Sequence, residues 1–199
     1  KNKKNVAKNR ESMNVNYHTF YIAEENEEEL DRIRNDRSEN MAIAALTNIM
    51  TKYPPFKLYQ LAITIKNDTV GYIITTSGDV SSQIIEDQLN RFIKGKGNDK
   101  ARRLEIFMEA AKLFNEEPDR FLMEYMYAQG INTRVFTIKE GHIFWNSKLD
   151  VSSQYKWKNE QTLKNFILEE YKRYNPKNPD DNAYADLKSE LLQKGVKFE

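Results

Sequence analysis

Residues 58–93 read LYQLAITIKNDTVGYIITTSGDVSSQIIEDQLNRFI, and the fold turns on how they divide. The run 58–66 is apolar and β-prone, Asn67-Asp68 interrupts it, and 69–76 is apolar again. Two such runs around a pair that tolerates positive φ predict a β-hairpin over 58–76. Ser77-Gly78 closes the second arm, and Asp79 stands where it would cap a following helix. That helix is marked by Ile84, Ile85, Leu89, Phe92 and Ile93, which recur on one face at helical spacing.

The joint is echoed further on. Asp79-Val80-Ser81-Ser82-Gln83 recurs letter for letter as Asp150-Val151-Ser152-Ser153-Gln154, again between an expected hairpin and an expected helix. Thr64-Ile65-Lys66 recurs as Thr137-Ile138-Lys139 in the first arm of each hairpin. The two echoes are compatible with a degenerate duplication of a hairpin–cap–helix unit and equally with coincidence.

Before this stretch, residues 1–16 carry Lys1, Lys3, Lys4, Lys8 and Arg10 among asparagines with almost nothing to bury, which reads as a mobile basic arm. Residues 17–23 (Tyr-His-Thr-Phe-Tyr-Ile-Ala) are a strand candidate. Residues 24–53 read as helix, with five glutamates in the first turns and Arg32, Arg34 and Arg37 spaced to pair with them. Leu30, Ile33, Met41, Ala44, Ala45 and Ile49 form its expected buried stripe, 35–38 its weak point, and Pro54-Pro55 its stop.

After it, 95–99 is a loop and 100–115 a helix with Leu104, Phe107, Met108, Ala111 and Phe114 on one face. Pro118 opens another helix that Gly130 can end. Residues 131–139 and 142–148 read as a second hairpin around Glu140-Gly141. Helices follow at about 159–174 and 180–194, separated by Pro176 and Pro179, with Gly195 past the last one. The expectation is therefore α+β: two β-hairpins and an N-terminal strand in an antiparallel or mixed sheet, with about six packed helices. Residues 17–199 are read as a single domain behind the arm at 1–16.

Composition narrows the function only by exclusion. Aromatic residues at 12% and apolar residues at 39% suffice for a core, and 31% charged residues make a wet surface. The formal net charge of +1 conceals segregated acidic and basic stretches. Zero cysteines exclude disulfides, zinc–thiolate sites and thiol catalysis, and fit a reducing compartment. No apolar run approaches the roughly 20 residues of a membrane span. The expected location is cytoplasmic (intracellular), with no membrane partner. Richness in Asn, Lys and Ile suggests an AT-rich genome, that of a low-GC bacterium, its phages or plasmids, or an AT-rich eukaryote, and a phage or mobile-element origin is expected.

Catalytic signals are sparse. The only histidines, His18 and His142, each fall in an expected strand and are weak candidates for acid–base work. No zinc-ligand spacing occurs, so no metal and no cofactor is expected. Gly95-x-Gly97 among lysines lacks the Gly-Lys-Ser/Thr ending of a phosphate loop. Glu170-Tyr171-Lys172 has the letters of a nuclease motif but sits in a helical pattern. The chain leans away from being an enzyme, with a hydrolase using His or carboxylate residues as a further alternative.

Charge patterning carries the remaining readings. Arg91, Lys94, Lys96, Lys100, Arg102 and Arg103 face only Asp99 in their stretch. A second region interleaves bases and aromatics, with Lys156, Trp157, Lys158, Tyr171, Lys172 and Arg173. Such surfaces suit nucleic acid, aromatic faces stacking on unpaired bases while cations meet phosphates. The leading expectation is a non-enzymatic binding or accessory protein contacting nucleic acid. Its rival is a protein–protein interaction module (an inhibitor, immunity factor or assembly subunit) that would use Trp145, Trp157 and the acidic helix start with Glu27 and Glu28.

Overall fold

The computed structural model describes residues 15–65, 81–95, 97, 99–148, 155–178 and 182–198, with side chains described at residue 27 and from 29 onward. Two compact units are distinguished, Lys1–Met41 and Ala42–Glu199. Among the described residues there are seven α-helices and one small sheet. The helices are α1 (Val15–Lys52), α2 (Pro55–Thr64), α3 (Ser82–Lys94), α4 (Lys100–Glu116), α5 (Pro118–Asn132), α6 (Glu160–Arg173) and α7 (Ala183–Gln193). The sheet holds β1 (Phe136–Lys139), β2 (His142–Trp145) and β3 (Lys156–Trp157), and a 3-10 turn follows β2 at Asn146–Lys148. The class is α+β, weighted towards helix.

The stretch at 58 departs from the expected hairpin. Its first arm is not a strand but the helix α2, opened by Pro55 in its first turn, where a missing N–H costs nothing. Leu58, Tyr59, Gln60, Leu61, Ala62 and Ile63 are all buried, so the helix is enclosed on every side. A continuous apolar run shows no 3.6-residue period and resembles a buried strand by eye. The turn pair Asn67-Asp68, the second arm and Asp79 lie outside the described residues, as does the second copy of the pentapeptide. From the first copy, Ser81 is the N-cap of α3: its hydroxyl accepts from the Ile84 amide at 3.4 Å.

The expected N-terminal strand is likewise not formed. Residues 17–23 are helical, part of α1, and the expected break at 35–38 is absent. Extending a nucleated helix adds one backbone bond per residue fixed, which outweighs a weak β-preference in a segment without strand partners. Leu30, Ile33 and Met41 are more than half exposed and do not form the expected stripe, whereas Ala42, Leu46 and Ile49 are buried.

The second hairpin is real but shorter than expected, since Ile131 still belongs to α5. Phe136 pairs with Trp145 and Lys139 with His142. Glu140 (φ 50°) and Gly141 (φ 72°) make the two-residue turn, both in the left-handed region as a type I′ connection requires. β3 pairs antiparallel with β2, Ile143 opposite Trp157. Two residues are too few to show alternation, and the sequence reading missed this strand.

α5 is the central helix, packing against α2, α4, α6, α7 and β1. Gly130 does not end it; the glycine is buried inside the helix, and the Phe136 ring occupies the space a Cβ would fill. Trp145, Phe136, Tyr125 and Phe107 are the largest fully enclosed side chains. α6 and α7 are capped by asparagines: Asn159 Oδ1 accepts from the Thr162 amide and Asn182 Oδ1 from the Ala185 amide. Asn182 Nδ2 also donates to the Glu170 carbonyl at 3.0 Å, tying the start of α7 to the end of α6. Gly195, at φ 82°, follows the last helix as expected.

Candidate functional site

The basic stretch at 91–103 separates on folding. Arg91 and Lys94 are exposed in the last turn of α3, Lys100 is half-buried and Arg102 exposed in the first turn of α4, and Lys96 lies outside the described residues. Arg103 is buried at 6% exposure. Its guanidinium lies against Gly95, where a Cβ would come within 2.7 Å of Nη2, at the carbonyl end of α3. A cation there complements the helix dipole. Arg103 is therefore placed to hold two helices together, away from the surface.

The second basic region also divides. Lys156 and Lys158 are exposed, Lys156 Nζ lying 5.3 Å from the centre of the Phe144 ring. Trp157 is interior, its ring 5.4 Å from that of Phe166. Trp145 is fully enclosed, and its indole N–H donates to Glu190 Oε2 at 2.7 Å. Neither tryptophan presents a ring to a partner. Glu27 is exposed on α1, while the side chains of Glu28 and His18 are outside those described. His142 is half-buried on β2, with Nδ1 3.0 Å from the Glu140 carbonyl. Among the described residues, no group of three or more His, Asp and Glu is placed to hold a metal ion. None of the described helices is long and apolar enough to cross a membrane.

Two clefts remain. The first, about 430 Å³, lies between α4, α5 and α6 around Lys164. Lys164 has an 8% exposed side chain and bonds Glu124 Oε1 at 2.7 Å, with Glu160 Oε1 at 3.8 Å. Its Nζ also lies 5.5 Å from the centre of the Tyr127 ring. Burial, then the charges of Glu160 and Glu124, push the Tyr127 hydroxyl up to about 12. Asp99, Glu105, Glu109, Glu124 and Glu160 line this cleft against Arg102, Arg103 and Lys164, leaving it net acidic.

The second cleft, about 420 Å³, has the opposite balance, with Lys57 and Lys188 against Asp119. Its volume falls within the range of small-ligand sites. Tyr53 comes from just beyond α1, Phe114 from the end of α4, Tyr171 from the end of α6 and Phe198 from the segment after α7. The walls are built edge to face: Tyr53 on Phe114 at 4.8 Å, Phe114 on Phe121 at 4.8 Å, and Tyr171 on Tyr184 at 4.9 Å. Phe198 is held by its neighbours. Tyr125 Oη donates to the Lys197 carbonyl at 2.7 Å, and Gln60 Nε2 reaches the Phe198 carbonyl at 3.5 Å. Burial raises the Tyr171 hydroxyl above its ordinary pKa, and the charge of the nearby Asp119 carboxylate adds to the effect.

Comparison with known proteins gave no match: neither a family model, nor a curated protein, nor a solved structure aligns with this chain.

Lys172 and Arg173 stand exposed directly after Tyr171, although Arg173 Nη1 shares Glu170 Oε1 at 3.3 Å. Exposed cations stand near half-exposed rings both here, after Tyr171, and at Lys156 and Lys158, beside Tyr155 and Phe144. Tyr53, Lys57, Lys188 and Phe198 were not foreseen. They come from distant parts of the chain, and no local pattern marks them.

Proposed function

We propose that this protein is a non-enzymatic binding protein that contacts nucleic acid at the C-terminal end of α6. The observation that supports the reading is an aromatic cleft of net positive lining, with exposed Lys172 and Arg173 further along the end of the helix that supplies Tyr171. Cations meet phosphates without sequence preference, and half-exposed rings accept unpaired bases. Arg91, Lys94 and Arg102 are further exposed cations available for phosphate contacts. The test is binding of single-stranded and duplex oligonucleotides between about 50 and 200 mM salt. Affinity is expected to fall steeply with salt, and Lys172→Ala/Arg173→Ala to flatten the dependence by about two phosphate contacts. Absence of binding at low salt defeats the reading.

A protein partner is the second reading, favoured by Leu30 at 51%, Ile33 at 54% and Met41 at 53% exposure on α1, beside exposed Glu27. Binding through that helix is expected to survive salt that releases nucleic acid, and to be lost in Leu30→Ser/Ile33→Ser.

A further inference from the structure

Resting on the nucleic-acid reading, we infer that the aromatic cleft is a site for one nucleotide, with the planar base among Tyr53, Tyr171 and Phe198 and the phosphate drawn by Lys57 and Lys188. The three rings are half-buried or partly exposed, Tyr53 at 37%, so each is packed on one side and still in contact with solvent. That is the condition for stacking on an added π-face at small ordering cost.

Both lysines line the cleft. Lys57 Nζ donates to Gln60 Oε1 at 3.0 Å, the same side chain reaching the Phe198 carbonyl, and Lys188 Nζ lies 5.7 Å from the centre of the Phe198 ring. Among the described residues neither is ion-paired with a carboxylate. Asp119 lines the cleft too, and against the two lysines the lining keeps one net positive charge. An aromatic ring carrying an anionic group satisfies both halves of this lining, whereas an uncharged aromatic leaves the lysines without a partner and inorganic phosphate leaves the rings bare. The ligand chemistry is the same for a free nucleotide and for one residue of a strand.

Isothermal titration of the whole chain with AMP, adenosine, inorganic phosphate and a single-stranded dA octamer tests this at low salt. AMP is expected to bind at one site per chain, with adenosine and phosphate at least about tenfold weaker. Tyr53→Leu is expected to weaken AMP and the octamer by about fivefold or more, and Tyr53→Phe, which keeps the ring, by little. Lys188→Gln is expected to weaken both and to reduce their salt dependence. Circular dichroism and the thermal midpoint confirm that each variant is folded, and Tyr53 and Lys188 are partly exposed, which favours this. Octamer binding untouched by these variants overturns the cleft assignment and leaves the nucleic-acid reading standing. AMP binding without octamer binding upholds the cleft and overturns that reading. Phosphate binding as tightly as AMP overturns the nucleotide assignment, and binding of none of the four overturns both.

Discussion

Gly130 shows how one position couples α5 to the sheet. The Phe136 ring fills the space a side chain would take, so Gly130→Ala must displace either the ring or the helix. Alanine's better helix propensity, worth about 1 kcal/mol, offsets only part of the overpacking cost of about 1–3 kcal/mol. A net destabilisation of about 1–2 kcal/mol is expected in urea unfolding. Tyr184, 4% exposed, offers a second test at the same scale. Burial, then the neighbouring Tyr171 and Tyr174, push its hydroxyl up to about 12. In the unfolded chain a tyrosine ionises near 10, so the folded state holds the proton more tightly and its contribution is intact below pH 10. Stability is lost as pH rises from about 10 to 12, by about 1.4 kcal/mol per pH unit for this group. Tyr184→Phe removes that component, and a shallower alkaline loss in denaturant melts is the expected result.

Packing of elements depends on Lys164, whose ammonium joins α6 to α5 through Glu124. Lys164→Met keeps the aliphatic stem but leaves Glu124 and Glu160 without their cation, and a loss of about 1–3 kcal/mol is expected. Replacing Glu124 with Leu in the same chain should recover much of it, because an apolar pair has no charge to desolvate. The elements also differ in how legible they are in sequence. α3, α4, α6 and α7 each bury one face, so their apolar spacing is visible in the letters, although the sequence reading missed the capping residues Ser81, Asn159 and Asn182. α2 buries every face, its period vanishes, and β-branched Ile63, Thr64 and Ile65 then suggest a strand. The turn at Glu140-Gly141 is readable because its positive φ values demand particular residues, whereas β3 is shorter than any pattern.

Across the whole molecule, charge and aromatic content were legible as amounts, but their placement was not. Trp145 and Trp157 have the residue type of interface anchors, yet each is interior, and Arg103 is spent at the end of α3. What folding leaves exposed is decided by contacts between segments up to 145 residues apart, such as Tyr53 and Phe198, which share one cleft. The account's central claim is that a base enters there. Cross-linking tests it most directly, using a single-stranded oligonucleotide with a photoreactive base, followed by peptide mapping of the adducts. Adducts on Tyr53, Tyr171 or Phe198 are predicted, suppressed by excess AMP. Adducts confined to residues 1–16, or to the exposed cations Arg91, Lys94 and Arg102, would contradict it.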